Sequence, residues 1–201
     1  MKSYIFVVLA MAASAGAVDF GVRVGTRNTD LWPSLTYFDP ARCCGLDLLA
    51  EVPLGGSFRA GVRAGVFGSA TRGEPEEYEG RQLEDVLGLD TRVVLLSVKP
   101  VLIEAVVGYA GLGAGYAWFN QWNVHSSSAS RMTENRVAVT VPVGLRYEIS
   151  GHASAGAEME TPVIGWFRDV ASYGGNESDY TGWRLASFTP SFSAMIVLTP
   201  R

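Results

Sequence analysis

The sequence predicts an all-β fold, an eight-stranded antiparallel up-and-down β-barrel formed by a single domain. Apolar and polar residues alternate with a period of two in eight separate segments. Short connections between these segments alternate strictly with long ones. No segment after the N-terminal stretch has the length and apolarity of a membrane-spanning helix, because its best candidate, 93–119, contains charged residues and four glycines.

The alternation of apolar and polar residues defines the predicted strands. The predicted strands, in chain order, are 18–25, 44–54, 58–67, 91–101, 107–119, 135–148, 152–167 and 183–198. The segment 135–148 shows the pattern most clearly, since every second residue from Val137 to Tyr147 is apolar and Arg136 and Arg146 lie on the opposite face. In strand 91–101 the pattern places Val94, Leu96 and Val98 on the apolar face, with Ser97 and Lys99 on the polar face.

The connections predict which ends of the strands meet. The short ones lie near Gly55, Ile103 and Ser150, and the long ones are predicted at 26–43, 70–90, 120–134 and 168–182. An up-and-down meander places all short turns at one end and all long loops at the other. This asymmetry, with an even strand number and segments long enough to span a bilayer when tilted, is typical of a transmembrane β-barrel.

The polar face of the predicted strands is charged, with both signs equally represented. It carries Arg23, Arg59, Arg63, Lys99, Arg136 and Arg146, and also Asp19, Asp47, Glu51, Glu148, Glu158 and Glu160. Inside a barrel of eight strands there is room only for side chains, so these charges are expected to pair and to close the lumen. The balance of signs disfavours a wide ion-selective pore.

Aromatic residues are expected at both membrane interfaces. Phe20, Phe58 and Tyr147 fall near the short-turn ends of their strands, and a second set falls near the long-loop ends. That second set consists of Tyr116, Trp118 and Phe167. The alternative, a water-soluble barrel with its apolar face inward and its charges in solvent, stays open from the sequence.

The N-terminus has the order of an export signal, with Lys2 before the apolar run 5–13 and small residues at 15–17. We therefore expect a signal peptide at 1–17 and the barrel domain at 18–201. Cys43 and Cys44 are adjacent and predict no disulfide that would cross-link the fold. A net charge of −4 disfavours nucleic acid as a partner, and no cofactor or metal motif is present.

Three stretches resemble the outer-membrane β-barrel domain family, the group of the small OmpA-type and OmpX-type barrels: 46–54 (LDLLAEVPL), 107–116 (VGYAGLGAGY) and 143–147 (VGLRY). The resemblance implies location in the bacterial cell outer membrane and contact with outer-membrane lipid and lipopolysaccharide. We expect no cofactor.

Three functions remain open at this stage. The first is a non-enzymatic barrel that serves envelope structure or surface contact through four long loops and a possible extracellular partner. The second is a lipid A-modifying barrel hydrolase, in which His125 and Ser127 would act as base and nucleophile and Glu134 would orient the base. The third is a narrow diffusion channel. The acidic residues of 70–90 show no regular spacing of metal ligands, so a solvated loop is expected there.

Overall fold

The computed structural model describes residues 18–28, 42–72, 83–101, 103–125, 128–173, 176–185 and 190–200. The predicted signal peptide at 1–17 lies outside these residues and stays a prediction. Among the residues that the structure describes, no helix is long and apolar enough to cross a membrane.

Nine strand segments build the protein. They are β1 (Asp19–Asn28), β2 (Arg42–Gly55), β3 (Phe58–Arg72), β4 (Leu83–Val101), β5 (Ile103–His125), β6 (Ser128–Ser150), β7 (Ala153–Tyr173), β8 (Asn176–Leu185) and β9 (Ser191–Leu198). The last predicted strand, 183–198, therefore corresponds to two described segments, the end of β8 and the whole of β9.

The sheet closes on itself. From β1 to β7 each strand pairs with the next in antiparallel orientation, and β9 pairs with both β7 and β1. Phe20 of β1 lies opposite Leu198 of β9 at this closure. β8 pairs with β7 above the end of β9, so that β8 and β9 together form the eighth strand of the barrel. The predicted closed, eight-stranded antiparallel up-and-down barrel is confirmed.

The strands at the long-loop end are longer than predicted. β5 and β6 each have 23 residues, and β7 has 21. At about 3.3 Å per residue, a strand of that length extends roughly 75 Å, whereas about 9–11 tilted residues cross the apolar core of a bilayer. The predicted loops at 120–134 and 168–182 are thus wrong in their extent, because most of their residues continue the neighbouring strands as hairpins.

The two faces of the wall differ in the way that a transmembrane barrel requires. Apolar side chains point outward around the barrel, as Leu48, Leu112 and Ile196 show with exposed fractions of 64%, 60% and 58%. Their neighbours along the chain point inward and are buried. At the short-turn end, Gly55 and Gly56 have φ of 104° and 59°, a backbone region that only glycine adopts without strain.

The sequence analysis assigned the inward and outward faces of β4 the wrong way round. Val94 and Leu96 point into the barrel and are 1% and 0% exposed, whereas Val93 and Leu95 point outward. Lys99, on the outward parity, is exposed near the short-turn end. The reason is that β4 is apolar on both faces at this level, so alternation alone does not identify the outer side.

Candidate functional site

The interior of the barrel is the candidate site, because it buries charged side chains of both signs. Arg23, Arg63, Arg136 and Arg146 are buried, and Arg59 and Arg92 are half-buried; the buried carboxylates are Asp19, Asp47, Glu51, Asp90, Glu134, Glu158 and Glu160. Burying a charge without a partner costs several kcal/mol, so the pairing of these groups determines whether the fold is stable.

Arg23 forms the centre of the middle layer. Its Nε donates to Asp47 Oδ2 at 2.6 Å, and its Nη1 donates to Glu160 Oε2 at 2.9 Å and to Glu158. The Arg63 guanidinium donates to both oxygens of Glu158, at 2.6 and 2.7 Å. These contacts join β1, β2, β3 and β7 across the lumen, so the layer closes the barrel at mid-height.

A second layer lies toward the short-turn end. Arg146 donates two parallel hydrogen bonds to Glu51, each of 2.6 Å, which is the strongest geometry available to an arginine and a carboxylate. Arg59 Nε lies 3.5 Å from Glu51 Oε2, and the same guanidinium pairs with Asp19. The Arg146 guanidinium carbon also lies 4.8 Å from the ring centroid of Tyr109.

A third layer lies toward the long-loop end. Arg92 pairs with Asp90 and Glu160, and Arg136 pairs with Glu134. The Arg136 guanidinium carbon lies 5.5 Å from the ring centroid of Phe119. Glu160 accepts from both Arg23 and Arg92, and it therefore connects this layer to the middle one.

An apolar cluster occupies part of the lower interior. It consists of Leu49, Val94, Leu96, Tyr109, Met195 and Val197. The Tyr109 hydroxyl donates to Glu158 Oε2 at 2.9 Å and thus connects this cluster to the ionic layers. The described part of the lumen thus contains both ion pairs and packed aliphatic groups.

Glycines on the inward face leave room for these side chains. A Cβ on Gly65 would lie 2.0 Å from Asp47 Oδ1, and one on Gly115 would lie 2.4 Å from Arg92 Cγ. Glycines at these positions therefore allow charged side chains to lie against the wall of a narrow barrel.

The structure brings most of the predicted charges together. Arg23, Asp47, Glu51, Arg59, Arg63, Arg136, Arg146, Glu158 and Glu160 all face the interior, and each has an ion-pair partner there. The prediction that Lys99 faces the interior is wrong, since this residue lies on the outer face. Glu148 is exposed at the short-turn end.

Sequence reasoning missed three members, Asp90, Arg92 and Glu134. Asp90 and Arg92 were assigned to a loop and to a strand end without a role, and Glu134 was assigned to the hydrolase motif. The position of Glu134 was predictable, because it lies two residues from Arg136 and thus on the same face of the strand. The predicted faces of β4 placed Arg92 on the wrong side.

The interior contains cavities above and below the middle layer. One, with a volume of about 80 Å³, lies at the long-loop side against Phe67, Phe119 and Arg136. Another, of about 340 Å³, lies at the short-turn side against Arg59 and Arg146. The two cavities share no lining residue, and the middle layer separates them.

The outer surface shows two aromatic zones. Phe20, Phe58 and Tyr147 are exposed at the short-turn end. At the other end the exposed aromatics include Tyr116 and Trp183, whereas Phe167 is 3% exposed and faces inward, which corrects its predicted place in the outer zone.

A polar zone lies just above the upper aromatic zone on the outer face. There Arg168 Nη2 donates to Asp179 Oδ2 at 2.7 Å, and Tyr116 donates to Asn135 at 2.6 Å. The hydrogen bond from Arg168 holds the pKa of the Asp179 carboxyl below its usual value.

The described residues support neither the alternative catalytic pair nor a metal site. His125 ends β5, but its side chain and Ser127 lie outside the described residues, so the proposed catalytic pair is not placed. Cys44 is exposed, and the side chain of Cys43 is not described. Within the described ranges, no three His, Cys, Asp or Glu side chains come together as a metal site would require.

Comparisons with known proteins define the fold further. No protein-family model matches the sequence, and no curated protein matches it significantly. Among solved structures, a major outer membrane protein from Thermus thermophilus is similar over 91% of this chain and 99% of its own, with a TM-score of 0.52 and 13% identity. Neisserial surface protein A (90% and 94% covered) and Ail of Yersinia pestis (92% and 97% covered) each give a TM-score of 0.45 at 10% identity. The chain has the fold of the small eight-stranded outer-membrane barrels.

Proposed function

We propose that this protein resides in the bacterial outer membrane, among lipid and lipopolysaccharide. There it acts as a closed, non-catalytic barrel that serves envelope structure or surface contact. The observation that supports this most directly is the inside-out distribution of side chains, with paired charges enclosed and aliphatic groups facing out.

The outward apolar surface is too large for a protein in water. Large hydrophobic side chains on every barrel strand are more than a third exposed, among them Val24, Leu89, Leu145 and Leu198 at 56%, 51%, 54% and 55%. A soluble monomer rarely exposes a contiguous apolar patch of more than a few hundred Å². In lipid the same surface needs no further partner, and β9 closes the ladder by pairing with both β1 and β7.

The closed interior favours a structural role over a channel. Arg23 and Arg63 together with Glu158 fill the lumen at mid-height, and the cavities on either side of them share no lining residue. An ion would have to break several charge-assisted hydrogen bonds to pass. We therefore expect little or no conductance in planar bilayers.

The long hairpins support contact at the cell surface. β5 and β6 continue past the upper aromatic zone at Tyr116 and stay paired as far as His125 and Ser128, about nine residues or roughly 30 Å of strand. A rigid extension of the barrel is a suitable support for a binding surface, because it loses little entropy when a partner binds.

The decisive experiment is membrane fractionation followed by gel migration with and without boiling. A membrane barrel should appear in the outer-membrane fraction and migrate faster before boiling than after it. Recovery from the periplasmic fraction with unchanged migration would contradict the proposal. Protease treatment of intact cells then tests the orientation, since cleavage is expected only in the long-loop half.

A further inference from the structure

The ladder between β5 and β6 is interrupted in the barrel wall. The register of the two strands places Gly111 opposite Pro142, yet these residues do not pair. The next pair toward the long-loop end, Leu112 with Val141, is missing as well, whereas the pairs above and below the gap are intact. In the other described ladders, residues are skipped only where the register shifts. The four residues of the gap are called the β5–β6 seam. Pro142 also lies opposite Glu160 of the middle ionic layer, which places the seam at mid-height.

Pro142 accounts for the gap. Proline has no backbone N–H to donate to the neighbouring strand, and it is rare inside a sheet away from edges and bulges. The ring of Pro142 is fully buried. The carbonyl group of Gly111 therefore lies opposite a residue without a hydrogen to donate, and lipid offers it no donor either. As a result, β5 and β6 are held together less firmly at the seam than above or below it.

The other edge of β6 is irregular at the same level. The register between β6 and β7 shifts between Val139 and Thr140, because Val163 of β7 is an extra residue that forms a β-bulge. Thr140 lies opposite Pro162, a second proline in the wall. A bulge disrupts the ladder locally. The segment 140–142 of β6 thus has irregular pairing on both of its edges.

The groups on both sides of the seam are aliphatic. On the outer face, Leu112 is 60% exposed on the lipid-facing surface. On the inner face, a Cβ on Gly111 would lie 2.8 Å from Leu96 Cδ2. A Cβ on Gly113 would lie 3.3 Å from Val94 Cγ1. Parting the two strands here would therefore bring lipid chains into contact with buried aliphatic side chains and not with charges.

Free space adjoins the seam on the inside. Thr140 pairs with Gly113 at the upper end of the gap and lines the cavity of about 80 Å³. A side chain beside a cavity lacks contacts on that side, so movement of this segment sacrifices little packing. We propose that the barrel wall opens sideways at the β5–β6 seam and admits a hydrocarbon chain of the surrounding lipid as far as Leu96. This opening rests on the location of the barrel in a bilayer, but not on its role in envelope structure or surface contact.

The first measurement compares amide hydrogen exchange of glycines in the full-length barrel, reconstituted in lipid nanodiscs. Gly111 and Gly113 lie at the gap. Gly61 and Gly65 of β3 are the internal control, because the ladders on both edges of β3 are continuous there. Local opening sets the rate of exchange, so we expect exchange at least about tenfold faster at the two seam glycines than at the two control glycines.

The second measurement detects nuclear Overhauser contacts between lipid chains and leucine methyl groups in the same nanodiscs. Leu96 should contact lipid through the seam. Leu49 belongs to the same apolar cluster but lies on β2, and it should show no such contact. Leu112 should contact lipid even when the wall is closed, and its failure to do so would contradict the membrane location instead.

Substitutions then close the gap. Pro142→Val restores the missing N–H, and it should slow exchange at the two seam glycines to the rate of the β3 glycines. The control is Pro53→Val, the same change in β2 where the ladder is continuous across the proline, and it should leave exchange at the seam unchanged.

A disulfide closes the gap by a second route if Pro142→Val does not give the heat-modifiable folded form. Leu112→Cys with Val141→Cys is made in a chain whose own two cysteines are replaced by serine, and oxidation should slow exchange at the seam. The control is Leu48→Cys with Ala64→Cys, a pair across the continuous ladder of β2 and β3, where oxidation should leave the seam unchanged.

Three results would overturn the inference: exchange at the seam glycines as slow as at the β3 glycines, no lipid contact at Leu96, or unchanged exchange once the gap is closed. Fractionation and the lipid contact of Leu112 test the membrane location separately. The proposed function therefore fails or holds by different experiments.

Discussion

Removal of Glu51 should be among the most destabilising single changes in the barrel. Its carboxylate is 0% exposed and accepts two hydrogen bonds of 2.6 Å from Arg146, with Arg59 Nε at 3.5 Å. Glu51→Ala leaves a buried guanidinium without its counter-charge. Breaking a buried ion pair in this way costs about 3–5 kcal/mol, and we expect the loss of unfolding free energy to fall in that range.

Arg146→Met combined with Glu51→Leu separates the charge effect from the packing effect. A buried pair replaced by apolar groups of similar volume is often neutral or even stabilising. The double variant should therefore recover most of the stability that Glu51→Ala loses. This recovery is expected because Tyr109 and the aliphatic cluster already lie beside the pair.

Urea unfolding in lipid vesicles, followed by tryptophan fluorescence and by the mobility of unboiled protein, measures both variants. The matched control is Asp179→Ala, which breaks the exposed pair with Arg168 and should change stability very little. A loss below about 1 kcal/mol for Glu51→Ala would refute the reasoning, because it would mean that water or another residue solvates Arg146.

Three further predictions test the outer face, the wall and the polar zone. Leu112→Arg places a charge on the lipid-facing side and should cost about 2–4 kcal/mol in vesicle unfolding if this position lies near mid-membrane, a cost that disappears if Leu112 instead faces water. Gly65→Ala should lower the unfolding temperature, because the new Cβ displaces the Asp47 carboxylate; an unchanged temperature would show that the wall tolerates the shift. Asp179 should titrate below a model aspartate by NMR, and Arg168→Gln should return its pKa toward the usual value. Because the folded pKa is lowered, the contribution of this pair to hairpin stability is present above the unfolded pKa and is lost as pH falls through the folded pKa.

The barrel itself was predictable because period-two alternation is a direct result of strand geometry. On β1 and β6 apolar residues alternate with polar or small residues, so the outward face could be identified without coordinates. β4 shows where this reasoning stops. Val93, Val94, Leu95 and Leu96 are all apolar, and the register there depends on which side packs against Leu49 and Tyr109, which only the closed barrel determines.

The lengths of the hairpins could not be predicted for a related reason. Polar residues such as Asn120 and Thr133 resemble a loop when they are considered alone, yet the two are paired across β5 and β6, and Thr133 donates to Asn120 at 2.7 Å. Above the membrane neither face of a strand needs to be apolar. The alternation of apolar and polar residues therefore disappears there, although the backbone hydrogen bonds between the strands continue. Cross-strand partners, which a single sequence does not identify, decide where such strands end.

The composition of the interior explains why the membrane face and the ionic lumen depend on each other. Reversing the orientation of the strands would place Glu158 and Glu160 in lipid, where the neighbouring strands offer no counter-charge, since the residues opposite them are Gly144, Pro142, Ser193 and Ser191. In the observed orientation the curvature of the wall brings β1, β3 and β7 within reach of each other's side chains, as the contacts of Arg23 and Arg63 with Glu158 show. The outward aliphatic groups carry no such requirement, since lipid solvates them wherever they lie on the circumference. The charged groups thus fix which face is inside, and the apolar groups make that choice stable only in a bilayer.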